Sequence, residues 1–172
     1  MSWEKGKTMR EILFRGKRIG ENDWIEGSLV IDNIDMPMYT YKTYRICDNT
    51  LGFDDEEGFE PSYMAGIDDE VDPDTVGQYT GLKDKNGTRI FEGDILRIAK
   101  ETDGNGTYFV PPLEYPARAV VKWDLCAWMW ETLCEDKRYI TFPEAWCHFE
   151  CEVIGNIHDN PELKGDANDR QR

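Results

Sequence analysis

The chain has 172 residues, is 40% hydrophobic and 12% aromatic, and carries 35 Asp+Glu against 20 Lys+Arg, a net charge of −15. So many aromatic rings exclude a disordered chain, and the charge argues against ordinary phosphate-backbone binding to nucleic acid. No apolar run approaches the ~18 residues of a membrane span, and the charged start shows no secretory pattern, so a soluble protein of the cytoplasm is expected.

Residues 1–8 read as an extension with little pattern. Ile12-Leu13-Phe14-Arg15 is strand-like, Gly16-Lys17-Arg18 reads as a basic turn, and Gly20-Glu21-Asn22-Asp23 as a second turn. Trp24 to Ile31 places Ile25, Leu29 and Ile31 on one face at period two, which completes a hairpin. Tyr39 to Ile46 is a third strand, rich in the Tyr and Thr that strands favour. The composition then shifts. From Asp48 to Asp74 there are eleven carboxylates and no Lys or Arg, whereas residues 1–20 hold six basic and two acidic side chains. Gly52, Gly58, Pro61, Gly66 and Pro73 interrupt the acidic stretch, so loops around a short strand, Ser62 to Ile67, are expected, with 48–74 the least ordered internal segment.

The second half is again strand and turn. Val76 to Thr80 leads into Gly81, and Asp84-Lys85-Asn86-Gly87 forms a tight turn because Asn-Gly tolerates positive φ. Ile90 to Asp94 is a second turn-bearing link, followed by a strand from Asp94 to Ala99 and a Gly/Pro loop to Pro116. From Ala117 to Trp123, alternation puts Ala117, Ala119, Val121 and Trp123 inward, with Arg118, Val120 and Lys122 opposite. Strands are expected at Trp128–Thr132, Arg138–Phe142 and Glu152–Ile157, one or two helical turns at Pro143–Phe149, and a short capped helix from Asn160-Pro161-Glu162. The tail from Gly165 is polar and expected to be mobile. The expected core is Ile95, Ile98, Val121, Trp123, Val153 and Ile157. Short, closely spaced strands suggest a small barrel or sandwich.

Three stretches carry a specific likeness. Asp74-Thr75-Val76-Gly77-Gln78-Tyr79-Thr80-Gly81-Leu82-Lys83-Asp84-Lys85-Asn86-Gly87, continuing to Leu96, resembles the signature of the YopX-like family of phage and prophage proteins. Met9 to Lys17 resembles the family's start, and Cys151 to Leu163 its C-terminal motif. The resemblance implies a mainly β fold with little helix: an SH3-type barrel in the C-terminal half joined to an N-terminal β region. It implies a phage or prophage origin and supplies no catalytic residues. The expected organisation is an extension at 1–8, a β region with acidic loops at 9–70, the barrel region at 71–163 and a tail at 164–172. Within the signature, Gly77, Gly81, Gly87 and Gly93 are expected at turns, with Thr80, Asp84 and Asp94 accepting or donating hydrogen bonds to nearby backbone.

Chemistry is sparse. The five cysteines are odd in number, and Cys126, Cys134, Cys147 and Cys151 with His148 and His158 lack two clean ligand pairs, so reduced thiols, no metal and no cofactor are expected. No serine sits in a nucleophile elbow, and Gly104-Asn105-Gly106 lacks a phosphate-loop context. Two binding candidates remain: the acidic Asp54, Asp55, Glu56 and Glu57, suited to a basic protein surface, and the basic Arg15, Lys17 and Arg18 near Trp24, suited to phosphate or to shielding a strand edge. The expectation is a non-enzymatic macromolecule-binding protein, protein partner favoured, with self-association open. The alternative is a ligand-binding protein or hydrolase using a cleft between the two β regions.

Overall fold

The computed structural model describes residues 11–47, 68–98, 117–124, 126–133, 139–141 and 150–165. The elements expected at residues 1–8, Ser62–Ile67, the loop to Pro116, Pro143–Phe149 and the tail beyond Gly165 lie outside these residues. The chain divides into two compact units, Met1–Gly81 and Leu82–Arg172.

The first unit contains β1 (Phe14–Lys17), β2 (Trp24–Met36), β3 (Tyr39–Cys47), β4 (Asp68–Glu70) and the start of β5 (Gly77–Lys83), in the antiparallel order β4-β3-β2-β1-β5. Gly16-Lys17-Arg18 is not a turn. Gly16 lies inside β1, buried, and a Cβ there would come within 3.0 Å of Val71. The missing side chain lets Val71 pack on the strand, and alternation then turns Arg15 and Lys17 outward. The turn falls at Gly20–Asp23 as expected; Arg18 N donates to Asp23 O at 3.0 Å, and Gly20 and Asn22 take the left-handed conformation at φ 94° and 62°. The core is Ile25, Ile46 and Val71, with Phe14, Leu29, Tyr44 and Val76 packed against it. Ile31 departs from the expected face by being exposed, because β2 and β3 run on as a ribbon beyond the last core pair, Leu29 and Ile46.

Acidic residues 68–70 form a strand, where loop was expected. β4 pairs with β3 at Arg45, Ile46 and Cys47, and Asp72 then caps a 3-10 turn, Pro73–Thr75, by accepting from Asp74 N. Pairing with a formed strand satisfies the backbone whatever the side chains are.

The second unit holds β6 (Arg89–Phe91), β7 (Asp94–Ile98), β8 (Ala117–Asp124), β9 (Ala127–Thr132), β10 (Tyr139–Thr141) and β11 (Cys151–Asn156). The last five form an antiparallel sheet in the order β10-β9-β8-β7-β11, and the far end of β5 leads through Asp84–Gly87 into β6. The buried cluster is Ile90, Leu96, Ile98, Ala119, Val121, Trp128, Trp130 and Cys151, with Val153 packed against it. Ile95, Ile98 and Val121 are fully buried as expected, and Ile157 is half-buried. Trp123 is 51% exposed. It shares the inward face, but its cross-strand partner Trp128 takes the buried place at that end, and Trp123 packs edge-on at 5.0 Å between ring centroids. Val120, assigned to the solvent side, is buried opposite Ile95. Both faces of β7 and β8 are covered there, so alternation in polarity disappears.

The chain is therefore mainly β. The described strands form two antiparallel sheets that are not closed barrels, with a backbone bridge from Arg18 to Val71 joining the ends of β1 and β4, and the SH3-type closure implied by the resemblance is not among their pairings. Helix is limited, among the described residues, to the 3-10 turns Pro73–Thr75 and Pro161–Lys164. Asn160 precedes the second without capping it by its side chain; Asn160 Oδ1 instead accepts from Asn156 N at 3.3 Å.

Candidate functional site

The basic strip begins with β1. Phe14 and Gly16 face the core, so Arg15 and Lys17 stand on the other face beside Trp24, the cross-strand partner of Lys17. The Arg15 guanidinium lies 4.8 Å and the Lys17 ammonium 5.7 Å from the Trp24 ring centroid, so both cations contact one aromatic ring. Lys17 Nζ also donates to Asn22 Oδ1 at 3.1 Å.

Arg18 follows, bridged to Val71 through the backbone. Its Nε donates to Asp69 Oδ2 at 2.5 Å and its NH1 to Asp23 Oδ2 at 2.7 Å, with Glu21 at 3.5 Å. The hydrogen bond to Asp69, opposed by burial and aided by the charges of Asp69, Asp23 and Glu21, raises its pKa above the ordinary arginine value. Arg18 is thus neutralised by three carboxylates. One of them belongs to the acidic run, so the positive start of the chain is tied to the negative middle across 51 residues. The signal for this contact was in the sequence: a run without a single internal base must find its counter-charge elsewhere. Lys17, Arg18, Gly20, Asn22, Asp72 and Pro73 line an open concavity of about 450 Å³ that mixes both signs of charge. Asp54, Asp55, Glu56 and Glu57 lie outside the described residues.

The signature residues do different work. Gly77, Thr80 and Gly81 are in β5 rather than at turns. Gly77 is buried opposite Arg15 of β1, and Gly81 takes φ 88° within the strand, just before the second unit begins. Gly87 and Gly93 are at turns, at φ 86° and 82°. In the first of these turns Gly87 N donates to Asp84 O at 3.0 Å and only Gly87 is left-handed, a type I turn with a glycine bulge; Asn86 has negative φ.

Asp84 is the centre of this region. Its Oδ1 accepts from Asn86 N and Thr88 N, both at 2.8 Å, and its Oδ2 from Val153 N of β11 at 3.0 Å. The carboxylate is 7% exposed. Burial pushes its pKa up, but the amides of Val153, Thr88 and Asn86 outweigh it and the net direction is down. The two local amides were legible from a turn-initiating Asp; Val153, 69 residues away, was not. Asp94, 1% exposed, accepts from Phe91 N at 2.7 Å. Between them, Gly93 N donates to Val121 O and Gly93 O accepts from Ile157 N, each at 2.9 Å. The signature thus ties β6, β7, β8 and β11 to one another by backbone hydrogen bonds.

The thiols differ in access. Cys126 is exposed at φ 63° between β8 and β9, while Cys151 is buried. Burial first, and then the negative charge of Asp84, push the Cys151 thiol up to about 12. Cys134, Cys147 and His148 lie outside the described residues, among which no group of three His, Cys, Asp or Glu converges as metal ligands would. No helix among the described residues is long and apolar enough to cross a membrane.

The family model described as "YopX protein" matches residues 13–163, and the chain belongs to the YopX family. A search of curated proteins finds no match. Among solved structures the chain is similar to the crystal structure of protein EF1440 from Enterococcus faecalis, with 23% identity over 90% of this chain and 98% of that one and a TM-score of 0.43.

Proposed function

We propose that this YopX-family chain is a non-enzymatic accessory protein of a phage or prophage, working in the host cytoplasm by binding a basic protein. The observation that carries this reading is the distribution of charge. The chain has a net charge of −15, and Arg18, the innermost cation of the basic strip, is already taken by Asp69, Asp23 and Glu21. Arg15 and Lys17 contact the Trp24 ring. The strip is therefore engaged in holding the first unit together, which weakens its case as a phosphate-binding surface. The 48–74 run holds eleven carboxylates and no Lys or Arg. Such a field speeds association with a positive partner and is screened over about 8 Å at physiological ionic strength.

The experiment is a pull-down from host lysate with the parent protein and a variant carrying Asp54→Asn, Asp55→Asn, Glu56→Gln and Glu57→Gln, at low and high salt. The parent should retain basic proteins at low salt and release them at high salt, and the variant should retain fewer. An identical partner set with identical salt response would remove the acidic run from any role in recognition.

A further inference from the structure

The β2–β3 hairpin extends well past the core of the first unit. Its strands stay paired from Ser28 and Cys47 out to Met36 and Tyr39. β1 covers β2 only as far as Gly27, and β4 covers β3 only at Arg45 to Cys47. Among the described residues, no strand lies along β3 from Tyr39 to Thr43. A two-stranded ribbon of this length is marginal by itself, and an uncovered edge is a template for another strand.

The direction of the uncovered backbone groups follows from one hydrogen bond. Val71 N donates to Tyr44 O at 2.8 Å, on the β4 side of β3. Because the groups alternate along a strand, Lys42 and Thr40 also turn their N–H and C=O to that side. Tyr41 lies between them, with its backbone turned toward Ile34 of β2.

The side chains at this edge are apolar on one face. Ile34, Met36, Tyr39 and Tyr41 share a face through the pairs Ile34–Tyr41 and Met36–Tyr39. The two tyrosine rings lie 5.9 Å apart. This face is opposite to the one on which Ile25, Leu29 and Ile46 form the core, so the patch is not an extension of that core. Met36, Met38, Tyr39 and Tyr41 are four of the nine large hydrophobics exposed among the described residues. The ribbon is also electrically unlike the rest of the chain: from Ser28 to Arg45, Asp32 and Asp35 balance Lys42 and Arg45, for a sum of zero, against −15 for the whole. Two copies of an acidic chain can meet there without a local excess of like charge.

We propose that β3 pairs with β3 of a second copy of this chain, antiparallel about a two-fold axis at Tyr41. The axis is perpendicular to the ribbon, so both apolar faces stay on the same side. Thr40 of each copy pairs with Lys42 of the other, using the outward N–H and C=O groups of both. Tyr41 faces its own counterpart in a non-hydrogen-bonded pair, where Cα atoms approach to about 4.5 Å. Tyr39 comes opposite Thr43 of the second copy, which joins the two apolar patches. On the other face each Lys42 lies beside Thr40 of the second copy, the residue whose hydroxyl donates to Asp35 Oδ1 at 2.7 Å within its own ribbon.

The test is sedimentation equilibrium of the full chain. The parent should reach twice the chain mass of 20.0 kDa with rising concentration. Lys42→Pro removes one outward N–H and leaves the β2–β3 ladder intact, so this variant should stay at the single-chain mass with unchanged circular dichroism. A second measurement does not depend on that variant folding. Tyr41→Cys in a Cys126→Ser background, oxidised with copper phenanthroline, should give a covalent dimer, since its separation suits a disulfide; Ile31→Cys in the same background should not. A parent that remains a monomer at every soluble concentration overturns the proposal, as does a folded Lys42→Pro variant that still dimerises or a Tyr41→Cys variant that fails to cross-link. A ribbon edge taken up by a different protein would show itself as a parent monomer.

Discussion

Arg18 in the first unit and Asp84 in the second are both charged groups that tie together distant parts of the chain, and they do so by opposite means. Arg18 is held by three side-chain carboxylates, with a quarter of its own side chain exposed. Asp84 is buried and held by three backbone amides, two from its own turn and one from β11. Fixed dipoles in a water-poor site hold a charge far better than exposed ions do, because nothing need be ordered to meet it and salt does not screen it. The hydrophobic support differs in the same sense. Among the described residues, the cluster of Ile25, Ile46 and Val71 in the first unit is smaller than that of the second, which includes the fully buried Trp130.

The strongest test of this contrast is in the second unit. Ile95→Ala should cost about 2–5 kcal/mol in a chemical denaturation experiment, because Ile95 is fully buried in β7, an interior strand of its sheet. Ile157→Ala, at a half-buried position, should cost visibly less. Equal losses at the two positions would contradict the assigned core.

Asp84→Asn comes next, at about 2 kcal/mol, the range for hydrogen bonds to a charged group. Its pH dependence separates charge from shape. The folded pKa of Asp84 is depressed, so its contribution is fully present above the unfolded value of about 3.9 and is lost as pH falls through the folded value. The stability gap between parent and variant should be constant at neutral pH and shrink below about pH 4. A gap that does not change with pH would mean that the amides hold the oxygen atoms and not the charge.

Arg18→Gln should have the smallest effect, and the only one of the three that depends on salt. Its loss should be measurable at low ionic strength and fade at high ionic strength, whereas the Ile95 and Asp84 effects persist. A salt-independent loss at Arg18 would show that the site behaves like the buried Asp84 after all.

Much of this chain was legible locally. Turn chemistry marked Gly20–Asp23 and Asp84–Gly87, Tyr and Thr content marked β3, and the family signature led to the mainly β class. These readings succeed because turns and strand propensity depend on a few adjacent residues and on the steric freedom of glycine. What failed depended on neighbours distant in sequence. Gly16 looked like a turn residue until Val71 packed on it, and the acids at 68–70 looked like loop until β3 offered them an edge. Trp123 had the right periodicity, but Trp128 took the buried place beside it. Asp84 announced its two local amides, while its third partner, Val153, needed β11 to be laid alongside. The sequence by itself determined where the chain turns, which stretches extend and how acidic the surface must be, since those follow from backbone sterics and composition. Only the tertiary structure decided which side of each strand is buried and which charge meets which, because burial and hydrogen bonding are settled by whatever the fold brings within a few ångströms.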